Sequence, residues 1–236
     1  MARNDDVHAQ LRAAILSGAY APRQRLVEAE LAEEYGASRF TLRNALILLA
    51  ADGLIELQPN RGARVREISL AEALEITELR QHVEGILAAR AAEKVTDEQS
   101  AFLLELDERM RHAVTTGDFL TYAELNGTLH GTIRDIADHA TARRVLDQLH
   151  GQLVHHQFQL ALVPGRPHIS LPEHREIIDA IRSRDPERAR AAMSAHVGSV
   201  AKTLTALAEA GGDSSVHGRF SVAHNHDRNS AAASAD

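Results

Sequence analysis

The sequence predicts a mostly α-helical protein in two parts, a small N-terminal domain that ends in a β-hairpin and a larger all-helical bundle. Three observations predict it. Apolar residues recur at helical spacing through most of the 236 residues. A Pro-Asn-Arg-Gly turn at 59–62 lies between two short stretches of strand character, "LIELQ" and "ARVRE". Charge divides near the same place: residues 1–66 hold nine basic against eight acidic side chains, and the remainder holds 17 against 25.

The elements follow in order. Residues 5–17 place Val7, Leu11, Ala14 and Ile15 on one helical face, and Gly18 ends that helix. "GAYAPRQRL" reads as a connecting loop. "VEAELAEEYG" is a short helix carrying Ala29, Leu31, Ala32 and Tyr35, closed by Gly36. Ser38 suits the N-cap of the next helix, which runs to about Asp52 with Leu42, Ala45, Leu46 and Leu49 inward. From Ser69 the pattern is helical throughout, with helices expected near 70–93, 96–116, 118–137, 139–162, 171–183 and 185–210. Thr96, Asp118 and Asp185–Pro186 are start signals, and Gly117 and "VPGRPHIS" are breaks. The domains are therefore expected at 1–68 and 69–210, with a Gly/Ser/Ala-rich tail at 211–236 that lacks periodicity and reads as disordered.

Composition narrows the function. With no cysteine there is neither a disulfide framework nor a thiolate metal site. Aromatics are 3% and Trp is absent, which disfavours stacking platforms for single-stranded nucleic acid. No apolar run suits a secretory signal or a membrane span, so a cytoplasmic, soluble protein is expected. The net charge is −7, yet residues 38–66 hold five arginines against two acids, a local basic patch on an acidic chain.

Two helices joined by a tight turn and followed by a hairpin make a winged helix-turn-helix, whose second helix enters the major groove by its first residues. Arg39, Thr41 and Arg43 stand there, and Arg39 and Arg43 share an outward face because they are four apart. The arginine fork matches guanine O6/N7 or a phosphate. Ser38 and Thr41 offer hydroxyls to phosphate, Arg61 stands at the hairpin tip, and Gly62 lets the backbone approach a neighbour. The whole run "RLVEAELAEEYGASRFTLRNALILLAADGLIELQPNRGARV" resembles the N-terminal domain of GntR-family transcription regulators. The resemblance implies that Arg39, Thr41 and Arg43 touch DNA and that Gly62 sits at the wing; Ser38 and Arg61 join the expected DNA-contacting set by their own chemistry and position. It departs from the family at Asn44, where Glu is usual.

Of the 14 histidines, three draw attention. Asn126 and His130 are four apart on one helix face, and His174 and His196 each lie among residues that should face a bundle interior. Taken singly, each reads first as a hydrogen-bonded core or boundary histidine and only second as a ligand. "ELRQHVEGILAARAA", "GDFLTYAELNGTLHGTI", "PEHREIIDAI" and "RARAAMSAHV" resemble the helical FCD effector domain of the FadR subfamily. That resemblance implies a divalent metal held by Asn126, His130, His174 and His196, with Asn126 in place of the usual Asp. Imidazole-rich sites suit zinc, nickel and similar ions, of which zinc is expected here. An amide ligand leaves the cation's charge uncompensated, so lower affinity and an anionic further ligand are expected. Arg80, by the same resemblance, lines an effector pocket and can grip a carboxylate, its alternative role being an ion pair with Glu84. Arg134 shares the face of Asn126 and His130.

The expected protein is a transcriptional regulator, a repressor by resemblance and not an enzyme. It is expected to act as a homodimer on a palindromic operator of duplex DNA under the control of a small organic acid. The alternative is a metal-dependent enzyme acting on such an acid, for which no H-E-x-x-H motif is present.

Overall fold

The structure, a computed structural model, describes residues 4–58, 62–161, 163 and 165–211. Arg61 and the tail from 212 lie outside the described residues. The first part runs α1 (Asn4–Leu16), β1 (Arg25–Leu26), α2 (Glu28–Glu34), α3 (Arg39–Ala51), β2 (Ile55–Gln58) and β3 (Gly62–Val65). Ser38 caps α3, its Oγ accepting the Thr41 N–H at 3.0 Å. Leu42, Ala45, Leu46 and Leu49 are buried against Val7, Leu11 and Ile15 of α1, so the 3.6-residue period of α3 sets its inner face. Removing a leucine from such a site costs about 2–5 kcal/mol.

The sheet has three strands in the order β1-β3-β2, both pairs antiparallel, with Leu26 opposite Ala63 and Gln58 opposite Gly62. Strand β1 falls inside the stretch expected to be loop. Its two residues are too few to show alternation, and only pairing with β3 makes them a strand. The close neighbour expected for Gly62 is this strand: φ is +82°, and a Cβ there would lie 2.6 Å from the Leu26 carbonyl oxygen.

The second part is α4 (Leu70–Lys94), α5 (Asp97–Thr116), α6 (Phe119–Ala137), α7 (Ala140–Ala161), α8 (Arg166–Arg182) and α9 (Pro186–Gly211). Ser69, Thr96 and Asp118 cap α4, α5 and α6, Thr96 in a capping box with Gln99, and Gly117 closes α5 in the left-handed region. Its core joins Leu87, Leu103, Met110, Leu129, Ile133, Ile177 and Met193. Alanines and Gly85 on α4 let α9 come close, and a Cβ on Gly85 would lie 2.7 Å from Ser194 Oγ. Helix α8 starts five residues before the expected 171. Pro167 sits in its first turn, where the missing N–H costs nothing, and the helix continues through Pro172. That extra turn carries Arg166 and Ser170 to the bundle interior.

Helix α7 joins the two parts. Gln148 Nε2 donates to the Ala51 carbonyl at 3.1 Å and Gln152 Nε2 to that of Asp52 at 3.4 Å, both at the C-terminal end of α3. Arg12 of α1 donates to the Asp147 carbonyl at 3.2 Å. Gly151 permits the approach, since a Cβ there would lie 3.3 Å from Leu54 Cδ2.

Candidate functional site

The outward face of α3 carries the expected basic groups. Arg39 and Arg43 are exposed. Arg43 Nη2 lies 3.2 Å from Glu28 Oε2. Ser38 Oγ accepts the Thr41 N–H and donates to Thr41 Oγ1 at 2.9 Å, so its hydroxyl is spent within the cap. The Thr41 O–H is left to donate elsewhere. Arg66, counted in the sequence patch, is instead tied to the Gly53 carbonyl and to Glu72 at the head of α4.

The second site is a cavity of about 350 Å³ inside the helical part. One face of α6 supplies Tyr122, Asn126, His130 and Arg134 at four-residue intervals, and one face of α8 supplies Arg166, Ser170 and His174 in the same way. Arg80 comes from α4, His150 from α7 and His196 from α9. The structure thus brings to one cavity the six residues singled out in the helical part.

His130, His174 and His196 have ligand atoms within 4.8 Å of one another and form a group able to hold a metal ion. Their outer partners fix which nitrogen faces inward. His196 Nδ1 lies 2.8 Å from Glu173 Oε2 and His130 Nδ1 lies 3.1 Å from Glu84 Oε2. Both carboxyls are held below their ordinary range. For Glu84, burial opposes ionisation, and Arg80 with His130 and His150 outweighs it. For Glu173, burial is outweighed by hydrogen bonds from His196 and Ser199. An ionised carboxylate only accepts, so each Nδ1–H donates and Nε2 is the nitrogen left for a ligand role.

The outer partner of His174 is a hydroxyl, which both donates and accepts. Tyr122 Oη lies 2.6 Å from Ser170 Oγ and 3.0 Å from His174 Nδ1: with its hydrogen toward Ser170 it accepts His174 Nδ1–H, and with its hydrogen toward His174 it donates to Nδ1 and leaves the ring hydrogen on Nε2. Burial pushes the Tyr122 hydroxyl up to about 12, which keeps it protonated and a donor. His174 Nε2 and His196 Nε2 stand 3.2 Å apart; with the hydrogen of His174 on Nδ1 both lone pairs face inward, and with it on Nε2 His174 donates to His196. The first arrangement suits a shared cation, and the second is an ordinary hydrogen bond. Asn126 Oδ1 is buried at the same cavity with no hydrogen-bond partner, an orphan of the kind that costs about 1–3 kcal/mol unless satisfied.

Arg80 makes the pair with Glu84, but the pair is buried rather than on the surface: Nη2 is 2.8 Å and Nε 2.9 Å from Glu84 Oε1. His150 bridges the two effector candidates. Its Nδ1 accepts from Arg134 Nη1 at 3.3 Å, and its Nε2 lies 3.4 Å from Glu84 Oε1. Sequence reasoning missed Tyr122, His150, Arg166 and Ser170. Tyr122 precedes Asn126 by four residues, a local signal for a shared face; for His150 and Arg166 no local signal existed.

The histidines give a pH signature. Burial first, then the neighbouring charges, pushes His174 well below the ordinary value of 6.5, and burial outweighing Glu173 lowers His196 as well. Below about pH 6.5 the unfolded chain takes up protons that the folded chain refuses. Stability is therefore complete above pH 6.5 and lost as pH falls toward the depressed folded values. The glutamates add their own loss only below 4.5. Chelator-treated protein is expected to melt at steadily lower temperature from pH 6.5 to 5, and a flat profile would contradict neutral, buried imidazoles.

A winged helix-turn-helix joined through one helix to a bundle with a polar interior cavity defines a DNA-binding regulator with a sensing domain. The chain belongs to the GntR family of bacterial regulatory proteins: that family's model matches residues 3–65 and the FCD domain model matches residues 75–199. It is 27% identical over 210 residues to the HTH-type transcriptional repressor RspR of Escherichia coli (strain K12), covering 89% of this chain and 92% of that one. It is 31% identical over 204 residues to an HTH-type transcriptional regulator in an unstable DNA locus of Streptomyces ambofaciens, covering 83% and 82%. The solved structure of E. coli McbR/YncC has the same fold, with a TM-score of 0.70 at 22% identity over 88% of this chain and 99% of that one. No helix among the described residues is long and apolar enough to cross a membrane.

Proposed function

We propose that this regulator is a cytoplasmic repressor that binds a palindromic operator as a homodimer and is controlled by a small carboxylic acid at a metal in the helical domain. The functional division falls at 68/69, where Ser69 caps α4. Ser38 orders the start of α3, Arg39, Thr41 and Arg43 meet the major groove, and Arg61 and Gly62 serve the minor groove or the sugar-phosphate backbone. Asn126, His130, His174 and His196 hold the ion.

The single observation that carries the metal reading is the cluster of three histidines beside a buried amide oxygen with no partner. Glu84, Tyr122 and Glu173 hold the Nδ1 atoms of His130, His174 and His196, and ligand atoms of the three rings lie within 4.8 Å of one another beside the Asn126 amide oxygen. The 3.2 Å between the Nε2 atoms of His174 and His196 suits shared ligation of zinc, whose bonds to histidine are about 2.0–2.1 Å. Bound there, the ion supplies a Lewis-acidic position for a carboxylate oxygen. Arg134 holds the acid's remaining charge, and Arg80 adds what Glu84 leaves of its fork. Asn126→Asp is expected to tighten ion binding and to lower the melting temperature of the ion-free protein, because an unpaired carboxylate is then buried. Melting both proteins with and without zinc checks the opposite signs.

Helix α7 transmits occupancy. His150 stands between Arg134 and Glu84, while Gln148 and Gln152 on the same helix grip the end of α3. An acid that pulls on Arg134 shifts His150 and, with it, the angle of the recognition helix. Gln148→Ala with Gln152→Ala is expected to remove most of a coupling of about 1–3 kcal/mol while leaving acid binding intact. Unchanged coupling in a binding assay would sink this route. The enzyme reading is weaker: Glu173, the carboxylate beside His174, is already bound to His196 Nδ1 and Arg166.

Footprinting on the DNA upstream of the chain's own gene, with a panel of carboxylic acids, tests the whole proposal. Protection that changes with one acid supports it. Turnover of an acid without any protection would overturn it.

A further inference from the structure

We propose that Phe40 reads the 5-methyl group of a thymine in the operator and so sets part of the sequence preference of this chain. The inference rests on α3 being the helix that enters the major groove. Phe40 is the second residue of α3 and is 73% exposed. The core under α3 is filled without it, since Leu42, Ala45, Leu46 and Leu49 are all buried. A phenyl ring in water at this place contributes nothing to folding and leaves a large apolar surface unsatisfied.

Its position gives that surface a use. Phe40, Arg43, Asn44 and Ile47 follow the i, i+3, i+4, i+7 spacing and form one outward strip. Ile47 is half-exposed and shares a shallow groove with Leu57 of β2, so it is partly covered by its own chain. Phe40 lies beyond that groove, at the N-terminal end of the helix, which is the end that meets base edges in this motif. Phenylalanine has no polar atom with which to bond a base. What it can discriminate in the major groove is the thymine methyl, the apolar mark on a base edge.

The test uses full-length protein and needs no known operator. Duplexes are selected from a random pool by the wild-type chain. Each thymine of the selected half-site is then replaced singly by deoxyuridine, which lacks only the methyl. At one position per half-site, deoxyuridine is expected to weaken wild-type binding about fourfold, the worth of one methyl-sized group withdrawn from contact. Phe40→Ala is expected to bind the thymine and deoxyuridine duplexes equally at that position. Its melting curve should match the wild type, since the ring is exposed. If both proteins respond alike to every replacement, or the wild type to none, the assignment of Phe40 is overturned and the regulator reading stands. If the wild-type chain enriches no sequence, both fall together.

Discussion

His174→Ala protein is expected to keep its fold and to lose the thermal gain that zinc gives the wild type. His174 is 1% exposed and lies within bonding distance of Tyr122 on one side and His196 on the other, so no other residue can take its place. With free zinc at about 100 times its dissociation constant, binding to the folded state alone adds about 2.7 kcal/mol. For a chain of this length each kcal/mol moves the melting temperature by about 2–4 °C, so a rise of roughly 5–11 °C is expected in the wild type. In the variant the rise should vanish, against a lower starting point caused by the deleted hydrogen bond. Tyr122→Phe should give an intermediate result, weakening zinc about 10–100-fold, because it frees the ring of His174 without removing a ligand. A full zinc-dependent rise in His174→Ala would remove His174 from the site.

Arg43→Ala is expected to cost about 1–3 kcal/mol of operator affinity, roughly five- to 150-fold, if its fork reads a base pair. The pair with Glu28 does not prevent this. Both groups are partly exposed, at 69% and 29%, and such pairs are worth only about 0.2–1 kcal/mol, less than a fork on a base returns. The same pair predicts an effect of opposite sign: Glu28→Gln should tighten binding by up to about fivefold, since it frees the guanidinium and removes a negative charge near the phosphates. Arg43→Lys should not restore affinity, because a point charge lacks the planar fork. Quantitative binding to the footprinted duplex checks all three. Equal affinities for wild type and Arg43→Ala would refute the base contact.

The recognition helix was legible because everything that makes it is local. The Ser38 cap and the leucine period lie within 14 residues, and each acts through neighbours in the chain. The facing of Asn126 and His130 was legible for the same reason, being four residues apart on α6. The meeting of His130 with His174 and His196 was not, because it depends on how α6, α8 and α9 pack. Only the family resemblance supplied that grouping in advance. Their ring centroids, 4.4 to 5.6 Å apart, are a tertiary fact. The same limit hid His150, whose importance comes from α7 reaching both the cavity and the end of α3. The start of α8 read as a break because "VPGRPHIS" carries Gly165 and Pro167, yet Arg166 and Ser170 stand on it. Glu84 was visible as a partner for Arg80. Its bonds to two histidines, which make it a hub between the α4, α6 and α7 side chains, were not.

The central claim is that the histidine cavity and the recognition helix share free energy through α7. Coupling of this kind is reciprocal, so operator DNA must change the affinity of the cavity by the same factor that the cavity's occupant changes the affinity for DNA. Titration of the acid that alters the footprint into zinc-loaded protein, alone and bound to its operator duplex, measures that factor. The two dissociation constants are expected to differ by about five- to 150-fold. Equal constants, in protein that binds both the acid and the DNA, would contradict it.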